Sequence, residues 1–364
     1  MYLVFDVGAT TIKYALMTGD GDIVEKGKTP TPVGEGKNTG DFVETIGAIY
    51  DTYAGVSQLQ QANQEQTINQ LQQANQEQTI NQTEKTSQTD TIDQTDSTPI
   101  EGIAMGLPGQ IDVKRGIVYN GGGIQYLHEA RLRDLIQARC NNIPVSMEND
   151  GKCAALAEIW KGNAKDVKDA CVLVFGTGIG GGIVRGRKVI HGKHLLAGEM
   201  SFIIGDMERG DLEKLPEGDN LMETMPVPDI VDKIPYTWTT KCSTINMCQN
   251  IAKAKGLPYG TVTGEQVYQW VREGDELVTN MLEDVYFSIA KMCLSLFVIL
   301  DPQIILIGGG ISAEPDFIKG IKKYVDQLKR LSNVYTNIKL DTCKFLNDSN
   351  LLGALYNFKQ IYDI

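Results

Sequence analysis

The chain has no apolar run long enough to cross a bilayer, no closely paired cysteines and no stripe of basic residues, and each absence removes a class of function. Its longest apolar stretch, Met292 to Leu300, falls far short of the roughly 20 residues of a spanning helix and lies in a helical pattern between Lys291 and Asp301, which reads as core. The seven cysteines are odd in number and scattered, with no CxC or CxxC pair, so a reducing compartment without a zinc knuckle is expected. Met1 to Asp6 runs straight into an apolar pattern with no basic leader and no cleavage site, as expected of a cytoplasmic protein. A net charge of −12 repels a polyphosphate backbone and argues against nucleic acid as a partner. Small ligands remain.

What is present describes a globular chain of two lobes. At 364 residues, 42% hydrophobic and 22% charged, it can bury two sizeable cores. The opening YLVFDVGATTIKYALMTGDGDIVEKGKT alternates apolar runs with turn signals at Asp6-Val7-Gly8-Ala9 and Gly19-Asp20-Gly21-Asp22, predicting a strand, a glycine turn, a second strand and a hairpin to a third. Helical spacing follows over Phe42 to Ala54, then a buried strand over Ile100 to Leu107. Further helices are predicted over Glu129 to Cys140, Gly151 to Gly162, Val278 to Leu300, Asp316 to Leu331 and Asn350 to Tyr362, with buried strands at Ile143 to Met147, Val172 to Phe175 and Ile304 to Ile307. The class is α/β. One segment stands apart: QLQQANQEQTIN occurs at Gln58 to Asn69 and again at Gln70 to Asn81, followed by a polar tract to Pro99. Its Leu and Ile content is too thin for burial to offset the entropy of ordering it, so an insertion at about 57–98 is expected to be solvated. A partner-binding helix is the alternative.

Three glycine-rich segments each follow a strand. Asp6-Val7-Gly8-Ala9-Thr10-Thr11 leaves backbone N–H groups free to face a phosphate, with Asp6 suited to Mg²⁺ through water, Thr10 to a phosphate oxygen and Lys13 to its charge; a plain hairpin would also need the glycine. Phe175-Gly176-Thr177-Gly178-Ile179-Gly180-Gly181-Gly182 is so rich in glycine that close backbone approach to a ligand is expected. No Gly-Lys-Ser/Thr follows, which excludes a Walker A loop, and no helix opens after the third glycine, which excludes a dinucleotide fingerprint. Gly308-Gly309-Gly310 closes the strand at Ile307 and could seat adenine or ribose, or simply turn the chain. Glu148-Asn149-Asp150 stands between a strand and a helix: Asp150 could accept the proton of an attacking hydroxyl, or cap the helix, and Asn149 can both donate to and accept from a sugar hydroxyl. In His194-Leu195-Leu196-Ala197-Gly198-Glu199, Glu199 could accept from two adjacent hydroxyls.

Taken in order, DVGATTIK, GLPGQID, ENDGKCAALAE, FGTGIGGGIV, HLLAGE, DPQIILIGGGIS and SNLLGALYNF resemble the ROK family of sugar kinases and related repressors, in the actin-like ATPase superfamily. The resemblance covers most of the chain apart from the insertion and Ser201 to Gly264. It implies an actin-like (ribonuclease H-like) fold of two βββαβα lobes with ATP and sugar meeting in the central cleft. The expected division is 1–112 plus 346–364 for the small lobe and 113–345 for the large one. It also implies Asp150 as the catalytic residue, Asn149, Glu199, Gly109 and, more weakly, Gly122 at the sugar, Asp6, Gly8, Thr10, Thr177, Gly178, Gly309 and Gly310 at ATP, and a homodimer.

Two departures bear on specificity. Many members continue with a glycine-histidine pair and a CxCGxxGCxE zinc motif, whereas here Phe202 takes the histidine's place and no cysteine cluster follows. Zinc is therefore expected to be absent and an aromatic face to re-line the sugar pocket. The implied reaction is transfer of the γ-phosphate of Mg-ATP to the 6-hydroxyl of glucose or a β-glucoside. An N-acetylmannosamine kinase is a rival within the class, and a non-catalytic sugar-responsive regulator one outside it. Deleting Gln58 to Asp96 should leave turnover nearly unchanged in a coupled ADP-release assay, since a solvated loop contributes nothing to the site; a large loss would assign the insertion a structural role.

Overall fold

The computed structural model of the protein describes residues 1–55, 99–225, 227–346 and 348–364. The repeated Gln-rich insertion lies outside the described residues. Strands β1 (Tyr2–Val7), β2 (Thr11–Met17) and β3 (Ile23–Pro30) form the expected meander and lead to helix α1, residues 39–55. Next come β4 (Gly102–Leu107), the hairpin β5 (Gln110–Asp112) and β6 (Ile117–Asn120), α2 (Leu132–Arg139), β7 (Val145–Asn149) and α3 (Asp150–Lys161). The sheet order is β3-β2-β1-β4-β7, antiparallel to the left of β1 and parallel to its right.

A second sheet repeats this plan. It consists of β8 (Ala170–Phe175), β9 (Ile179–Arg185) and β10 (Lys188–Val189), then β11 (Ile304–Gly308) and β12 (Leu340–Thr342), in the order β10-β9-β8-β11-β12 with the same pattern of sense. Between its two halves run α4 (Leu221–Thr224), α5 (Val227–Lys233), α6 (Trp238–Cys242), α7 (Thr244–Ala254), α8 (Gly264–Arg272) and α9 (Glu276–Leu300); α10 (Pro315–Leu328) connects β11 to β12, and α11 (Ser349–Tyr362) closes the chain. Because the plans match, the β1–β2 turn and the β8–β9 turn occupy equivalent places in the two sheets.

The expected boundary at residue 112 is corrected. It cuts the β5–β6 hairpin, while β7 pairs with β4 and α2 contributes Leu132 and Ile136 to the first core, so residues 113–149 belong with the first sheet. Local periodicity cannot reveal which sheet a strand joins. Two smaller differences also have local causes. Helix α2 starts at Leu132 rather than Glu129, because Glu129 is left-handed (φ 58°) and Ala130 bridges to Val118. At the end of α9, Val298 and Ile299 are exposed while Leu300 still packs against the second core, so the run is apolar beyond the face it buries.

Period-two alternation of side chains explains how one helix comes to serve both sheets. Leu3, Phe5 and Val7 of β1 pack with α1 and α2, while Tyr2 and Val4 turn to the other face and meet Cys153, Ala157 and α11. Ala155 and Ile159, on the opposite side of α3, pack against Val172 and Val184 of the second sheet. The small residues of the Cys153-to-Ala157 run permit this double contact. A Cβ on Gly182 would lie 2.7 Å from the Ala155 Cβ, and one on Gly353 of α11 would lie 1.7 Å from the Cys153 carbonyl oxygen. Gly353→Ala should therefore destabilise the protein by about 2 kcal/mol or more, although alanine is the better helix former. Thermal unfolding should show a fall of several degrees; an unchanged or raised Tm would mean that the helices are free to part.

Candidate active site

The site is built at the N-terminal end of α3, where β7 delivers Asn149 and Asp150. Asn149 Oδ1 accepts the Lys152 N–H at 3.1 Å and so caps the helix, while its Nδ2 donates to the Gly109 carbonyl at 3.0 Å. The capping role that could have explained Asp150 thus belongs to Asn149. Asp150, the first residue of the helix, accepts only the Gly151 N–H, at 2.8 Å. Burial chiefly, together with the neighbouring carboxylates Asp6 and Glu199, pushes its pKa up to about 6, against the opposing pull of the Gly151 N–H and Lys152.

Three other carboxylates meet here, and each is held by a side chain. Asp6 accepts Asn350 Nδ2 at 2.9 Å and Lys13 Nζ at 3.3 Å. Glu199 accepts Lys152 Nζ at 3.2 Å, and the lysine is only 2% exposed. Glu148, fully buried, accepts the Asn149 N–H at 2.8 Å and lies 2.7 Å from His191 Nε2. Motif and spacing in the sequence assign no site role to Lys152, Glu148, His191 or Asn350. Lys152 carried a signal, a cation directly before the apolar Cys153-to-Ala157 run of a helix; His191 and Asn350 carried none, because their partners lie far away in the chain.

The glycine turns surround this cluster. Gly8 donates to the Thr11 carbonyl at 3.0 Å and its own carbonyl accepts Thr31 Oγ1 at 2.6 Å; Ala9 and Thr10 are exposed at the turn. Gly109 (φ 91°) and Gly122 (φ 56°) press together: a Cβ on Gly109 would fall 1.9 Å from the Asn120 carbonyl oxygen and 2.9 Å from the Gly122 N. Neighbouring Gly123 brings the same turn within 3.1 Å of the Ala9 Cβ when a Cβ is built on it. The run from Gly176 to Gly182 divides. Only Gly176, Thr177 and Gly178 form the β8–β9 turn, whereas Gly181 and Gly182 lie in β9, a Cβ on them striking Val172 O at 2.0 Å and Ala155 Cβ at 2.7 Å. That half of the run serves strand and helix packing, which corrects the expectation of ligand approach throughout. Gly309 behaves similarly, since a Cβ there would sit 2.0 Å from the Phe175 carbonyl oxygen, while Gly310 is open. Gly178 abuts Ser201 Oγ, which accepts the Ile179 N–H at 2.9 Å.

A cavity of ≈730 Å³ opens between Gly176-Thr177, Thr244-Ile245, the first turn of α8 with Tyr268, and Gly310 to Glu314. Its walls are apolar at Phe175 and Ile311 and hydroxyl-bearing at Thr177, Thr244 and Thr263, a lining suited to a flat heterocycle. Among the described residues no helix is long and apolar enough to cross a membrane, and no group of three or more His, Cys, Asp and Glu side chains is placed to hold a metal.

Comparison with known proteins agrees with this arrangement. Residues 55–361 match the model of the ROK family. A beta-glucoside kinase of Klebsiella pneumoniae is 30% identical over 72% of this chain and 79% of that protein. A glucokinase of Halalkalibacterium halodurans is 25% identical over 99% and 95%. The crystal structure of a ROK family glucokinase from Streptomyces griseus in complex with glucose and AMPPNP covers 97% of each chain with a TM-score of 0.66 at 19% identity, a likeness of fold.

Carboxyl ¹³C NMR of the chain should show Asp150 titrating near 6, lower in Glu199→Gln and higher in Lys152→Met; a midpoint near 4 would contradict the burial argument. Because the folded pKa is raised, the neutral carboxyl's contribution to stability is complete below about pH 4 and lost as the pH rises through about 6. Asp150→Asn should accordingly stabilise the protein at pH 8 by about 1–2 kcal/mol, and by much less at pH 4.

Proposed function

Because the chain belongs to the ROK family, we propose that it transfers the γ-phosphate of ATP to the primary 6-hydroxyl of glucose or of the glucosyl unit of a β-glucoside. The observation that carries this reading is the isolation of Asp150. Of four carboxylates gathered at the head of α3, it alone has no side-chain partner among the described residues, and its pKa of about 6 lets it be ionised yet basic at neutral pH. The names of the beta-glucoside kinase and glucokinase relatives support the choice of acceptor.

In this reading the adenine enters the cavity beside Tyr268 and Gly310, with Gly309 packed behind the lining residue Phe175, and the triphosphate runs across Thr177 and Gly178 towards Gly8, Thr10 and Lys13. The Asp6 carboxylate, held by Asn350 and Lys13 on a turn of small residues, fits a Mg²⁺ bound through water. The ion, when bound with the nucleotide, neutralises charge on the phosphates. Asn149 keeps one amide N–H free of the contacts to Lys152 and Gly109, and donates it to a sugar hydroxyl. Glu199, oriented by Lys152, accepts from the sugar, and Gly109 and Gly122 let the backbone approach the ring. The 6-oxygen attacks the γ-phosphorus, the bond to the bridging oxygen of ADP breaks, and the hydroxyl proton passes to Asp150. Phe202 is half exposed one short turn beyond Glu199 and supplies an aromatic face for the acceptor. A nucleotide donor and seven unpaired cysteines suit the cytoplasm.

ADP release with Mg-ATP should be measured across glucose, cellobiose, other β-glucosides, mannose and N-acetylmannosamine. Phosphorylation of glucose or a β-glucoside at O6 is expected, with kcat reduced about 10²- to 10⁴-fold in Asp150→Asn. The acidic limb of kcat/KM should fall with an apparent pKa near 6, displaced downwards in Glu199→Gln. No turnover with any sugar, or undiminished turnover in Asp150→Asn, would sink the assignment.

A further inference from the structure

A second cavity, of ≈720 Å³, lies between the β5–β6 hairpin of the first lobe and the 191–199 loop that follows the second sheet's antiparallel half. Its charged lining is Lys114, Arg115 and Lys193 against the single carboxylate Asp112, with His194 beside them. This is unexpected in a chain of net charge −12. Among the described residues the Lys114, Lys193 and His194 side chains have no partner, and Arg115 only donates to Tyr119 OH at 3.1 Å and stands 3.9 Å from Asp112. The contrast with the large-lobe cavity of ≈690 Å³ is informative. There Lys241 and Lys291 are held by Asp206, and Lys253 by Asp232, so its cations are already neutralised.

The position of the basic cavity follows from the two segments that bound it. Gln110 succeeds Gly109, whose carbonyl accepts from Asn149, and Leu196 stands three residues before Glu199. The cavity is therefore flanked by the same two segments that flank the acceptor site. The loop from His191 is also bent at a cost: Gly192, Leu195 and Gly198 all have positive φ, and Leu195 at 62° is a bulky side chain in the left-handed region. Such conformations persist where the surroundings enforce them, and they gather at ligand sites. Here the bend carries Lys193 and His194 into the cavity wall.

We infer that this cavity is a subsite for an anionic substituent, a carboxylate or phosphate, on the end of the acceptor sugar remote from the transferred phosphate. The inference rests on the sugar-kinase reading. An acceptor whose 6-hydroxyl lies at Asp150 extends its far end outwards between Gln110 and Leu196, where the unpaired Lys114 and Lys193 and the loosely paired Arg115 await it. Cations on both lobes would then grip one ligand.

The full chain should be assayed with two β-glucosides of matched shape, 4-carboxyphenyl and 4-(hydroxymethyl)phenyl β-D-glucoside. At about 20 mM KCl the KM for the carboxylate is expected to be about tenfold lower with a similar kcat, and the ratio to approach unity at about 0.5 M KCl. The triple variant Lys114→Ser, Arg115→Ser, Lys193→Ser should lose the preference and keep its kinetics on glucose, since all three side chains are exposed. Equal KM values at low salt, or a preference retained in the triple variant, overturn the subsite. Should glucose itself not be phosphorylated, the kinase reading fails separately. Calorimetry of 4-carboxyphenyl β-D-glucoside on the two proteins then decides: about tenfold tighter binding to the unaltered chain supports the subsite, and equal binding refutes it.

Discussion

Helix α3 is clamped between two sheets, and the rest of the arrangement depends on that contact. Cys153 and Ala157 face the first sheet, Ala155 and Ile159 the second, and the glycines at 182 and 353 let strand and helix come within a distance that any Cβ would prevent. A helix held on two faces cannot shift along its axis without disturbing both cores. Its first residue, Asp150, is therefore placed in the cleft by packing rather than by its own few hydrogen bonds.

The same placement decides the electrostatics. The N-terminus of a helix favours an ionised carboxylate by about 0.3–1 kcal/mol, which alone would lower the pKa of Asp150. Burial and the charges of Asp6 and Glu199 act the other way and prevail, raising it to about 6. Lys13 and Asn350 hold Asp6, Lys152 holds Glu199 and His191 holds Glu148, and among the described residues Asp150 is left without a side-chain partner. The buried Lys152–Glu199 pair is weak grounds for stability, given what it costs to desolvate both charges. Its value is orientation, since it fixes the Glu199 carboxylate close enough to Asp150 to help raise its pKa.

The duplicated sheet plan places a glycine turn at the equivalent position of each sheet, one after β1 and one after β8. Their small residues let the backbone of each lobe approach a ligand, although the Gly8 and Gly176 N–H groups are already taken up by the Thr11 and Gly178 carbonyls. Glycine abundance alone overstated this. Gly181, Gly182 and Gly309 are required by neighbouring backbone and side chains, whereas Gly176 and Gly310 border the ≈730 Å³ cavity.

What the amino-acid sequence determined by itself was local or ordered along the chain. It specified the meander, the main helices, the glycine turns, the succession of seven motifs, and Asp150, Asn149 and Glu199 as residues to examine. Each of these follows from spacing or turn chemistry within a few residues. The tertiary structure alone decided that β7 joins the first sheet, that Asn149 rather than Asp150 caps α3, and which glycines make room for protein rather than ligand. It also paired Lys152 with Glu199 across 47 residues and Asn350 with Asp6 across 344. Periodicity and turn signals act through neighbours in the chain, whereas burial, charge pairing and close approach act through neighbours in space.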